Sequence, residues 1–157
     1  MPQAQLTSVG GQDGESMFTG PVIQDVLNST TTAIATGTLV AIVTPITTTT
    51  TTQFTVATAT SVNTTAPLNI GIVVGSAGLP ASGYGQVVTH GHVRALVDST
   101  TTPTVVGHRL IIGGTTPGTL SDAGSTTAAA GLNYGVVLEA LTTVTAGTLV
   151  NIWFEKT

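Results

Sequence analysis

The side chains in this sequence best suited to chemistry are three histidines. His90-Gly91-His92 sets two imidazoles at i and i+2, which on a strand point to one face. Arg94 and Asp98 share that parity, while Val87, Val93, Ala95 and Val97 occupy the other. Residues 86–98 therefore read as a two-faced strand with the histidines on its polar side. His108 falls in the next strand candidate, beyond a turn over residues 99–103. Were that turn to close a hairpin, His90, His92 and His108 would meet as a His-x-His pair plus a third ligand, a set that suits zinc. The simpler reading is of surface or interface imidazoles bonded to threonine hydroxyls, with no metal site and no cofactor.

Other catalytic arrangements do not assemble. No serine sits in a Gly-x-Ser-x-Gly elbow. The acids Asp13, Glu15, Asp25, Asp98, Asp122, Glu139 and Glu155 are scattered, without an acid–base pair at an evident cleft. Gly113 to Gly118 lacks the Lys-Ser/Thr of a phosphate cradle. There is no cysteine, which removes thiol catalysis, thiolate metal sites and disulfides together. An enzyme is not expected. Glu139 interrupts the apolar run Val136-Val137-Leu138-Glu139-Ala140-Leu141. A carboxylate there needs a partner or water, and Arg94 and Arg109 are the only arginines, so an ion pair across strands or subunits is expected. Trp153 and Phe154 are adjacent; on a strand one faces the core and the other is free to reach an interface.

The elements that carry these residues read as β. Threonine supplies 34 of the 157 residues, and its branched Cβ favours a pleated surface over a helix. Strand candidates are 38–43, 54–59, 69–74, 86–97, 105–112, 134–141 and 148–154, separated by Gly- and Pro-rich turns. Residues 22–28 form the one helical candidate. The expected architecture is all-β, a small β-barrel, β-tulip or sandwich of about seven to nine short strands. Residues 1–20, polar and Gly-rich, are read as an extended N-terminal arm, and 21–157 as a single β domain with the option of a Thr-rich insertion over 44–66. Thr47 to Thr52 is an unbroken threonine run. Two internal matches stand out: residues 36–42 with 146–152, and Asn69-Ile70-Gly71-Ile72-Val73-Val74 with Asn133-Tyr134-Gly135-Val136-Val137-Leu138. Either β turns reuse the same chemistry, or two related β subunits make up one barrel.

Charged residues are only 6% of the chain, with three basic and seven acidic side chains, against about 25% in an ordinary soluble domain. Mean hydropathy is +0.43 and the isoelectric point about 4.9. Three basic residues are too few to track a phosphate backbone or an anionic membrane, so no nucleic-acid or membrane partner is expected. The start has neither the basic nor the apolar region of a signal peptide, and no apolar run approaches the ~20 residues of a spanning helix. A chain this poor in charge would expose apolar patches as a free monomer. Much of its surface is therefore expected to be covered by other copies or by a host assembly.

The C-terminal half carries a cadence of strands and glycines. It runs Gly85-Gln86-Val87-Val88-Thr89-His90-Gly91-His92-Val93-Arg94-Ala95-Leu96-Val97, then Val106-Gly107-His108-Arg109-Leu110-Ile111-Ile112 and Thr116-Pro117-Gly118-Thr119-Leu120. It closes on Tyr134-Gly135-Val136-Val137-Leu138-Glu139-Ala140 and Ala146-Gly147-Thr148-Leu149-Val150-Asn151-Ile152-Trp153. Over residues 67–154 this resembles the decoration, or cement, proteins of tailed bacteriophage heads. The resemblance implies a small β domain, often a homotrimer, on the outer capsid surface of the virion. There it would bind the major capsid protein and stabilise the shell across capsomer boundaries. Expected contact residues are Gln3, Leu6, Met17 and Phe18 on the arm, and Arg94, Glu139 and Trp153 on the β domain. His108-Arg109 departs from the family, which often has an acidic turn there, and residues 30–65 match none of its pattern. The rival expectation is a receptor- or glycan-binding β module of a phage fibre or tail tip.

Overall fold

The computed structural model describes residues 20–44, 54–58, 69–98, 104–113, 116–124, 126, 133–142, 144–145 and 147–156. The proposed arm up to Thr19, the threonine run Thr47 to Thr52 and the remainder of 45–53 and 59–68 lie outside them. Among the described residues there are nine strands and no helix: β1 (Val22–Asn28), β2 (Leu39–Thr44), β3 (Phe54–Thr58), β4 (Asn69–Val74), β5 (Tyr84–Val97), β6 (Leu110–Ile112), β7 (Leu120–Asp122), β8 (Gly135–Val137) and β9 (Thr148–Phe154). The all-β expectation holds. The helical expectation for 22–28 does not: this segment pairs antiparallel with β5 and parallel with β3. A seven-residue helix has little intrinsic stability, whereas a strand flanked on both sides satisfies its backbone completely. Part of the Thr-rich stretch is also integral, because β3 runs between β1 and β2 and Val56 is fully buried.

The strands form two small closed barrels that share β5. In the first, the order is β1-β3-β2-β4-β5, and the β1–β5 pairing closes the ring. In the second, β5 pairs with β7, β7 with β6, and β5 with β9, which pairs with β8. An antiparallel bridge between Arg109 and Val136 completes that ring, with the Val137 N–H donating to the His108 carbonyl at 2.9 Å. Closure leaves no bare sheet edge around either ring.

The two barrels repeat one another strand for strand. Each has a single parallel pair, β1 with β3 and β5 with β7. The pairs Val40↔Thr58 and Ile42↔Val56 return as Leu110↔Asp122 and Ile112↔Leu120. Leu39↔Ile72 returns as Arg109↔Val136, and Val73↔Val87 as Val137↔Ile152. Gly37, with φ 84°, has its counterpart in Gly107, with φ 88°, and both donate to the strand opposite, at Val73 and Val137. Each interior holds a matching set of five fully buried side chains, Val26, Val40, Val56, Val73 and Val87 in the first and Ala95, Leu110, Leu120, Val137 and Ile152 in the second, and Ile34 and Leu79 pack with the first set. The match of 69–74 with 133–138 thus joins true counterparts, β4 and β8. The match of 36–42 with 146–152 does not. It joins β2 to β9, which share a glycine turn at φ 84° but not a place in the repeat; the counterpart of β2 is β6.

A bulge in β5 lets one strand serve both barrels. Val22 pairs with His90 and Ile23 with Val88, which leaves Thr89 as the extra residue. Val87 faces the first interior, while Val88 joins the cluster that fills the second. Beyond the bulge Val93, Ala95 and Val97 continue in that second cluster. Leu39, Ala41 and Ile72 on the outside of the first barrel belong to it too, so the second barrel sits with its interior against the outer face of the first.

Candidate functional site

On the outer face of β5 and β9 the sequence-based candidates gather. His90, His92 and Arg94 are exposed along β5, while Val93, Ala95 and Val97 are buried, as the alternation predicts. β9 lies alongside, with His92 opposite Trp153, Arg94 opposite Asn151 and Leu96 opposite Leu149. Phe154 is buried and Trp153 half-buried on the outside, where its ring meets His90 edge-on at a centroid distance of 5.5 Å. Val136 of β8 flanks Trp153 on its other side.

His108 does not join the other histidines. The segment 104–109 is bridge and turn rather than strand, and β5 pairs with β9 and β7, not with β6. The conditional hairpin is thus replaced by a parallel crossover. His108 Nδ1 instead lies 2.9 Å from Asp122 Oδ1. The Asp122 carboxylate also accepts the N–H groups of Gly124 at 2.7 Å and Val105 at 3.1 Å, so it fixes the turn that carries His108. Among the described residues no three His, Cys, Asp or Glu side chains gather in a metal-ligating group. Asp98, which shares parity with the histidines, is buried at the end of β5 and accepts the Thr116 N–H at 3.0 Å.

Within the chain Glu139 bonds an asparagine rather than an arginine. Its Oε2 accepts the Asn151 backbone N–H at 3.0 Å and the Asn151 side-chain amide at 2.8 Å. Arg109 pairs with Glu155 at 3.0 Å, and Arg94 donates to the Leu149 carbonyl at 3.2 Å. Because β8 ends at Val137, Glu139 takes over a hydrogen bond that a strand would have made to β9. Glu139→Ala is expected to lower stability by about 1–3 kcal/mol, and Glu139→Gln by less than half as much, since an amide oxygen still accepts. Urea denaturation of the two variants checks this; equal losses would mean that the carboxylate is merely solvated. Partial burial lowers the pKa of Lys156, beside Glu155, below the ordinary lysine value.

A shallow groove of about 430 Å³ opens where the barrels join, lined by Pro21, Ile23, Val88, His92, Arg94 and Asn151 among others. Among the described residues no Phe, Tyr or Trp lines it. Gln3, Leu6, Met17 and Phe18 lie outside the described residues, so of the expected contact set Arg94, Glu139 and Trp153 alone can be placed. Arg94 on β5 and Glu139 just past β8 each bond to β9, and Trp153 of β9 lies between His92 of β5 and Val136 of β8. Sequence reasoning did not single out Val136, Leu138, Val106 or Tyr84, which the fold leaves half-buried or exposed. Their periodicity resembles that of core positions, and only the repeat distinguishes them.

The architecture is that of a tandem β-barrel with a charge-poor exterior and no evident reaction centre among the described residues. Neither a family model nor a curated protein matches the chain. Among solved structures it is similar to the head fiber gp8.5 N base of bacteriophage phi29, at 14% identity and a TM-score of 0.50, over 85% of this chain and 95% of that one. At that identity the likeness is one of fold.

Proposed function

We propose that this chain is a structural virion protein that binds the outer surface of a phage capsid through the major capsid protein and stabilises the shell across capsomer boundaries. It acts mechanically, as a self-associating protein and most simply a homotrimer, without catalysis, cofactor, nucleic acid or membrane. The observation that carries this reading is the fold shared with the base of a phage head fiber over nearly the whole of both chains. The scarcity of charge adds to it: a chain with 6% charged residues suits contact more than solvation. Shell stabilisation would then come from added contact area at boundaries that otherwise separate. Purified protein mixed with expanded capsids that lack it should sediment with them and raise the temperature at which they open. Protein left in the supernatant would overturn the proposal.

A second reading, a receptor- or glycan-binding module of a fibre or tail tip, draws on the fibre character of the same structural neighbour and on the exposed Tyr84. Sugar recognition favours Trp, Tyr or Phe platforms, and among the described residues none lines the groove. Binding to a glycan array or to intact cells, with no binding to capsids, would favour it.

A further inference from the structure

The repeat shows what each barrel face is built to hold. On the first barrel Leu39, Ile72 and Val88 lie side by side across β2, β4 and β5, and the second barrel buries all three. Gly37, at the entry to β2, is roofed by Leu96 and Leu149; a Cβ there would run into both. On the second barrel the same positions are Arg109, Val136, Trp153 and Gly107. Nothing roofs them. Arg109, Val136 and Trp153 are half-exposed, and a Cβ on Gly107 would meet nothing within 4 Å. Val106 beside it is 56% exposed. Leu138 is 44% exposed, whereas its counterpart Val74 packs against the shared core.

The roofing half of the contact is duplicated as well. Leu96 and Leu149 face each other across β5 and β9. Their counterparts, Leu27 and Tyr84, face each other across β1 and β5 on the first barrel. Tyr84 is 62% exposed. Of the six large apolar side chains exposed among the described residues, Tyr84 belongs to the roofing half and Val105, Val106 and Leu138 to the second barrel, while Val22 and Ile23 lie at the other end of the β1–β5 pair, opposite His90 and Val88. One molecule therefore carries, unsatisfied, both halves of a contact that it already makes once internally.

We infer that a second copy of this chain seats its first barrel on the outer face of the second barrel, repeating the internal contact between molecules. Tyr84 of the incoming copy lies over Gly107 and Val106 as Leu149 lies over Gly37. Such a contact is heterologous, head to tail, and closes into a ring when the rotation per step divides a full turn. It gives a surface to the self-association proposed above, but it is made in solution and does not depend on capsid binding.

Cross-linking tests it directly, because the chain has no cysteine of its own. A chain carrying both Tyr84→Cys and Val106→Cys should form intermolecular disulfides under mild oxidation, and either single variant should not. Separately, Tyr84→Asp blocks one half and Val136→Asp the other. Each variant alone should sediment as a folded monomer, and an equimolar mixture should recover a dimer that grows no further, since one competent pair of halves remains. A wild-type chain that stays monomeric at tens of micromolar, a mixture that stays monomeric, or a double-cysteine chain that fails to cross-link would overturn the inference. Should an aspartate variant fail to fold, the cross-link still decides. Loss of capsid binding with cross-linking intact would count against the capsid reading alone.

Discussion

Replacing Gly135 by alanine is expected to cost about 3–5 kcal/mol and to open the second barrel. Gly135 sits at φ 138°, outside the range that side chains readily adopt. A Cβ there would also overlap the Trp153 carbonyl oxygen and stand 3.1 Å from the Phe154 Cα, so the β8–β9 pairing must shift to admit it. Gly147→Ala provides the control. It shares a positive φ, 84°, but its Cβ would meet nothing within 4 Å, so only the backbone strain of about 1–2 kcal/mol remains. Urea denaturation of the two variants separates strain from overlap. Equal losses would show that the close approach of β8 to β9 does not matter.

The second large effect is expected from two adjacent aromatics. Phe154→Ala removes a buried ring from the junction of the barrels and should cost about 3–5 kcal/mol. Trp153→Ala removes a larger ring but a half-exposed one, which the His90 ring meets edge-on. In a dilute, dissociated chain its loss should cost about 1 kcal/mol. At higher concentration Trp153→Ala should weaken self-association, because Trp153 occupies the place that Val88 fills beneath the second barrel. Thermal melts across a concentration series check both statements. A Trp153 loss as large as that of Phe154 at every concentration would mean that the outer face belongs to the core.

Much of this was legible because β chemistry repeats locally. Branched side chains and glycine turns marked β4 and β9 to the residue, and alternation assigned both faces of β5 beyond its bulge. What escaped depends on partners distant in sequence. β1 has apolar residues at 22, 23, 26 and 27, a helix-like spacing, and becomes a strand because β3 and β5 pair with it. β7 is three residues long and exists only through its pairing with β6 and β5. His108 was drawn toward the other histidines by an assumed hairpin, while the chain instead crosses over to a parallel pair. Glu139 was short of an arginine and found an asparagine. The repeat was half-visible: Asn69 and Gly71 of β4 match Asn133, just before β8, and Gly135 within it. β2 and β6 have diverged because one outer face is covered and the other is not, so that Leu39 stands where the second barrel has Arg109.

The central claim is that neighbouring subunits, rather than water, clothe this charge-poor tandem barrel on the surface of a phage head. A cryo-EM reconstruction of the virion that contains it tests this most directly. The account predicts paired-barrel density on the outside of the shell, several copies in contact, with the Trp153 face of one copy against the Tyr84 face of the next. A reconstruction in which the shell is bare and the barrels stand singly elsewhere, with both faces in solvent, would contradict it.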